Sequence, residues 1–216
     1  MLNNWSSQNY FMDTGLVRRG SHAQENSYGL REYRLVVYPD MSIYNEVMAE
    51  RRKFFAEYGV EVELKAFPYI LVAAFHAVEG MEETLIRWIQ RICSLQTSFT
   101  VTLNNYSGIP SGSIYLRVQN QQPFKHLAQQ LRSLDHYIQL PASASRKTYQ
   151  TAYLPIANNL PVSIYEKAMP AYSRKLFYAS FHASELVLLT RDHPFAAHKT
   201  LTVFRFLPEG QLTGVA

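Results

Sequence analysis

The chain has 216 residues, enough for one domain with a real core, and 47% of them are hydrophobic, including fifteen Tyr and twelve Phe, which excludes wholesale disorder. A formal net charge of +4 is a mild excess that a solvated surface accounts for, and the single cysteine excludes an intrachain disulfide and a cysteine-rich metal site. No apolar run approaches the roughly 18 residues of a membrane span, and no basic-then-apolar leader opens the chain, so a cytoplasmic protein without membrane contact is expected.

Residues 1–27 are rich in Asn, Ser, Gln and Gly without a sustained period. Within them Gly15-Leu-Val-Arg-Arg-Gly-Ser-His22 differs by one residue from a thrombin-cleavage linker common in expression vectors. This segment is set apart as mobile, leaving 28–216 as the folded domain. Glu32 to Tyr38 reads as a strand ended by Pro39-Asp40. A helix follows with Ser42 as N-cap, running to Tyr58 and stopped by Gly59. Arg51, Arg52 and Lys53 on it read as a solvated face. Glu63 to Phe75 is the next strand or strand pair, and Met81 to Leu95 shows helical spacing through Leu85, Ile86, Ile89, Ile92 and Cys93. Phe99, Val101 and Leu103 alternate as a half-buried strand, Asn104 to Gly112 reads as a turn region, and Ile114 to Val118 as the return strand. Pro123 to Tyr137 reads as a helix and Pro141 to Lys147 as a loop, with the seam between two intertwined lobes near 138–150. The second half repeats the order: a strand at Thr151 to Ala157, a helix from Val162 to Arg174 ended or interrupted near Pro170, and strands at Leu176 to Phe181, Glu185 to Thr190 and Leu201 to Phe206. Helices alternating with antiparallel pairs predict an α+β fold rather than a doubly wound parallel sheet.

Two stretches stand out. Phe67 to Phe75 (Phe-Pro-Tyr-Ile-Leu-Val-Ala-Ala-Phe) is a near-continuous apolar run, read as a strand buried on both faces. Ala152 to Leu160 opens in a similar way. Each has a tyrosine with an apolar residue two positions later, Tyr69 with Leu71 and Tyr153 with Pro155, and residues two apart share a strand face. The two pairs are therefore candidates to line one groove between lobes. Tyr149-Gln-Thr151, close to Arg146 and Lys147, offers a phosphate contact at the groove mouth, with Arg146 forming paired hydrogen bonds. His76 is an odd number of residues from Tyr69 and on an unbroken strand points to the opposite face. His182 reads as a surface or satisfied histidine, and His193 and His198 fall in a hairpin loop with no carboxylate pattern for a metal beyond Asp192. No phosphate-binding glycine loop or dinucleotide fingerprint is present, so no cofactor is expected and no metal site is assigned.

These stretches, with the helix opening on Glu82-Glu83, the pair Phe99 to Leu103 and Ile114 to Val118, and Leu186-Val-Leu-Leu-Thr-Arg191, resemble the 2H phosphoesterase superfamily, which includes 2′-5′ RNA ligase-like proteins and cyclic phosphodiesterases. The resemblance covers Tyr33 to Leu207 and implies two pseudo-symmetric lobes of antiparallel sheet with flanking helices around a central groove. It implies a His-x-Thr/Ser motif on one strand of each lobe, the imidazoles serving as base and acid and the hydroxyls holding phosphate. Here the first motif falls on Tyr69 and Leu71 and the second on Tyr153 and Pro155, so both are degenerate. Three functions follow. The first is a groove that binds a phosphate-containing ligand, a nucleotide or an RNA end, without the family's catalysis. The second is an active cyclic phosphodiesterase or RNA-end-processing enzyme using displaced residues. The third is a protein-interaction scaffold. No signal of oligomeric state is legible.

Overall fold

Alternation between apolar and polar side chains in the strands, and a 3.6-residue apolar stripe in the helices, leave most elements with one face to bury. The computed structural model describes residues 29–59, 67–110, 112–136, 147–148, 151–193 and 196–209. The N-terminal segment 1–27 and, within the expected seam, residues 138–146 and 149–150, with Arg146 and Tyr149 among them, lie outside the described residues. In chain order the elements are β1 (Leu30–Val37), α1 (Met41–Tyr58), β2 (Ile70–Val78), α2 (Glu82–Cys93), β3 (Phe99–Ile109), β4 (Ser113–Val118), α3 (Gln122–Leu131), β5 (Lys147–Thr148), β6 (Tyr153–Ala157), α4 (Val162–Tyr172), β7 (Tyr178–Ala183), β8 (Glu185–Arg191) and β9 (Lys199–Arg205). Two antiparallel sheets result, ordered β5-β2-β1-β8-β9 and β6-β4-β3-β7. Each sheet takes strands from both halves of the chain. The fold is α+β, as the alternation of elements predicts.

One apolar core joins both sheets to the helices. Its largest buried side chains include Tyr33 and Phe75, cross-strand partners whose rings stack at 5.5 Å. The Tyr33 hydroxyl donates to Glu82 Oε1 at 2.8 Å, and Arg31 Nη1 donates to the same oxygen at 3.1 Å, which ties β1 to the first turn of α2. Cys93 is buried at the end of α2, and burial pushes its thiol up to about 12, so it is an inert packing group.

Several local expectations are corrected. The N-cap of α1 is Asp40, whose carboxylate accepts from Ile43 N at 2.9 Å, because it is the last extended residue before the turn. Gly59, at φ 65°, is the left-handed C-cap the sequence predicts. Asn104 to Gly112 is not one turn region. β3 runs on to Ile109 across a bulge between Leu103 and Tyr106, where Asn105 takes φ 56° and its side chain accepts from Phe177 N. Arg51 is not on a solvated face: it is 5% exposed and its Nη2 donates to the Pro155 carbonyl at 2.9 Å, crossing from α1 to β6. Nor is the 67–75 run buried on both faces. β2 begins at Ile70 and alternates between buried and half-buried residues, because the helices cover one face of its sheet only.

Candidate functional site

The uncovered face of the five-stranded sheet follows from the strand register. On β1 it carries Glu32, Arg34, Val36 and, just past the strand, Tyr38, since Tyr33, Leu35 and Val37 alternate with them into the core. On β8, Arg191, Leu189 and Val187 stand opposite Glu32, Arg34 and Val36. On β2, Ala74 and Leu71 stand opposite Arg34 and Val36. A bulge leaves Val72 as the extra residue between those two pairs. The bulge reverses the parity expected for His76. It lies opposite Glu32, on the same face as Leu71 and Tyr69, where sequence parity had put it on the far side.

This face holds a second, small apolar cluster of Val36, Val187 and Leu189, with Tyr38, Tyr69 and Leu71 packed on it. Beside it runs a polar chain. Arg34 Nη1 donates to the Tyr69 hydroxyl at 2.7 Å, and Arg34 Nε donates to Glu32 Oε1 at 2.7 Å. Glu32 also accepts from Arg191, and His198 Nε2 is 3.9 Å from the same carboxylate. Burial opposes the ionisation of Glu32, but the hydrogen bonds and charges of Arg34 and then Arg191 outweigh it. The carboxyl is held below its ordinary range. A depressed carboxyl contributes stability that is complete above the unfolded value of about 4.3 and is lost as pH falls through the lower folded value. The melting-temperature difference between the wild type and Glu32→Gln is therefore expected to shrink below about pH 4. A difference that stays constant down to about pH 2 would speak against an ion-paired Glu32.

The second motif stretch is on β6, at an edge of the four-stranded sheet, and β6 lies against β2 where the two sheets meet. Leu154 and Ile156 enter the core, so Tyr153 and Pro155 take the uncovered face. Tyr153 stands opposite Arg117, and its ring centroid is 4.6 Å from that of Tyr115 on β4. The uncovered faces thus carry the two residue pairs singled out from sequence: Tyr69 and Leu71 on one sheet, Tyr153 and Pro155 on the other. Thr151 is exposed at a bend just before β6. Among the described residues no group of three or more His, Cys, Asp or Glu is placed to hold a metal, and no helix is long and apolar enough to cross a membrane.

Arg34, Glu32 and His198 were not singled out from sequence as site residues. The alternation Glu32-Tyr33-Arg34-Leu35 does carry the signal: two charges two residues apart on a strand whose other face is apolar. His198 has no such signal, since only the fold brings the segment before β9 to Glu32. His182, on β7 opposite Thr100, is exposed as expected.

A family model described as the 2'-5' RNA ligase superfamily matches residues 41–194. Among solved structures, LigT of E. coli complexed with 3'-AMP has a TM-score of 0.63 at 17% identity, covering 82% of this chain and 98% of that one. LigT complexed with ATP gives 0.61 at 16%, covering 82% and 99%. TT0787 of Thermus thermophilus gives 0.61 at 14%, again covering 82% and 99%. No curated protein matches the chain in sequence.

Proposed function

The chain belongs to the 2'-5' RNA ligase superfamily, and we propose that it keeps a groove for a phosphate-containing ligand, a nucleotide or an RNA end, while lacking the two-histidine catalysis of 2H phosphoesterases. The observation that carries this reading is what occupies the four motif positions. The Tyr69 hydroxyl is engaged by the Arg34 guanidinium. Leu71 packs in the small apolar cluster. Tyr153 lies against Tyr115, and Pro155 meets Arg51 through its backbone carbonyl. Phosphodiester transfer needs one group to take a proton from the nucleophile and another to give one to the leaving oxygen. Imidazole does both near neutral pH. A phenol, with a reference pKa of about 10, is a weak base there. Leucine and proline side chains hold no phosphate oxygen.

The ligand class is supported by two things. Two guanidinium groups, Arg34 and Arg191, stand beside the carboxylate of Glu32 on the uncovered face. LigT, whose fold this chain shares, has been crystallised with 3'-AMP, ATP and NADP+. A cytoplasmic location goes with such ligands. The reading is tested by titrating the protein with 3'-AMP and following tyrosine and tryptophan fluorescence. Saturable binding is expected, weakened about tenfold by Tyr153→Ala if that ring stacks on the ligand. A signal that never saturates sinks the groove reading.

A second reading has one specific observation behind it. His76 stands on the face of Tyr69 and opposite Glu32, which gives an imidazole a carboxylate neighbour within the groove. A displaced acid or base there would make the protein an active phosphodiesterase, and the same titration, assayed for product, distinguishes the two.

A further inference from the structure

An open sheet has two edge strands, and each presents a row of backbone N–H and C=O groups able to pair with another chain. The two sheets have four such edges: β5 and β9 on the first, β6 and β7 on the second. Three of them carry features that oppose pairing. β5 has two residues, one of them Lys147. β9 begins on Lys199, ends on Arg205 and bulges at Leu201, which the register leaves between the pairs Leu188–Thr202 and Leu189–Thr200. β6 has Pro155 in its middle and lies against β2. β7 (Tyr-Ala-Ser-Phe-His-Ala) has none of these features. It holds no Lys, Arg, Asp, Glu or Pro, its register with β3 is unbroken, and β3 is its one neighbour among the described strands.

A second observation falls on the same strand. The two most exposed large hydrophobic side chains among the described residues are Leu176, at 87%, and Tyr178, at 74%. Leu176 lies two residues before β7 and Tyr178 opens it. Pairing at this edge would take both out of water.

The strand also matches itself. Two antiparallel copies related by a two-fold axis normal to the sheet keep the same face outward, so each residue stands opposite one of its own parity. The longest self-pairing of this kind centres on Ser180 and runs from Tyr178 to His182. It sets Ser180 opposite the partner's Ser180 and Tyr178 opposite the partner's His182, all on the uncovered face. On the covered face Ala179 stands opposite the partner's Phe181, a small side chain against a large one. No fixed charge meets a like charge. The same operation on β9 would bring Lys199 opposite the partner's Arg205, two cations that repel.

We propose that β7 is the interface of a symmetric dimer, in which a second copy of this chain adds its own β7 antiparallel in that register. The inference stands apart from the ligand reading. The two four-stranded sheets become one continuous sheet, and the edge is used up, so assembly stops at two. A pairing of six residues a side is small, below about 1,200 Å² of buried surface, so the dimer is weak and depends on concentration. The uncovered faces of both copies open on the same side of the joined sheet.

Sedimentation velocity of the full chain from about 1 to 300 µM tests it, on the wild type, Ser180→Lys and Ser180→Glu. Ser180 is exposed and its hydroxyl shares one hydrogen bond with Thr102 Oγ1 at 3.1 Å, so both variants are expected to melt close to wild type. The wild type is expected to pass from one chain to two across this range. Each variant alone sets like charges opposite each other on the two-fold axis and is expected to stay a single chain. Mixed in equal amounts, the two place a cation opposite an anion and are expected to regain wild-type association. Should either variant melt well below wild type, Tyr178→Lys, at a position largely in water, is expected to weaken association about tenfold, and unchanged association would overturn the proposal. A wild type that stays single or assembles beyond two overturns it. So do folded variants that associate like the wild type, and a mixture that stays single.

Discussion

Gly112→Ala is expected to destabilise the protein by about 3 kcal/mol or more, lowering the melting temperature by about 6–12 °C. Gly112 closes the β3–β4 hairpin at φ 104°, a conformation in which an L side chain is strained. A Cβ there would stand 2.3 Å from the Leu160 carbonyl oxygen and 3.0 Å from the Leu160 nitrogen, both backbone atoms that cannot swing aside. The close approach is used: Leu160 N donates to the Gly112 carbonyl at 2.8 Å, and Gly112 N donates to the Ile109 carbonyl at 2.9 Å. These bonds fix the end of the segment that carries Tyr153 and Pro155, so the substitution also loosens the second motif strand. A thermal melt within about 2 °C of wild type would mean that the turn reorganises without cost.

Glu50→Ala is expected to cost about 2–3 kcal/mol. Glu50 on α1 accepts from the Tyr172 hydroxyl at 2.8 Å and from Lys175 Nζ at 2.5 Å, and Lys175 also sits 4.0 Å above the Tyr172 ring. The Tyr172 side chain is fully buried at the end of α4, so without Glu50 its hydroxyl loses its acceptor where water does not reach. Lys175 is partly exposed and recovers hydration, which keeps the loss below that of a fully buried ion pair. Glu50→Gln, which keeps an acceptor for Tyr172, is expected to lose about half as much, and Tyr172→Phe in the Glu50→Ala background to recover part of the loss by removing the unsatisfied hydroxyl. Chemical denaturation of the four proteins checks this. Equal losses for Glu50→Ala and Glu50→Gln would show that charge, not the tyrosine's hydrogen bond, is what matters.

The elements with long, regular periodicity were legible from sequence because one physical requirement dominates them. Leu127 and Leu131 bury one stripe of α3, and Val101 and Leu103 one face of β3, as their spacing predicts. Positions set by one extra residue were not legible. Nothing local distinguishes Val72 as the bulged residue of β2, yet the bulge decides which side of the sheet His76 takes. Asn105 tolerates the left-handed region and so continues a strand where a turn was expected. Arg51 was hidden by its neighbours: in a run of three basic residues on a helix, only the one facing β6 is buried, and that depends on how α1 docks. That Tyr69 shares a face with Leu71, and Tyr153 with Pro155, was legible, since period-2 alternation puts residues two apart on single faces. Their polar surroundings come from β1, β8 and the segment before β9, which only the sheet order assembles.

The central claim is that a groove of this family has been kept for a phosphate-containing ligand after its acid and base were replaced. The most direct test is to incubate purified protein with a 2',3'-cyclic nucleotide and measure binding and product on the same samples. Saturable binding with no product above a mock preparation is the predicted result. Product above the mock, abolished by His76→Ala, would contradict the claim and make this chain an enzyme that has moved its chemistry rather than lost it.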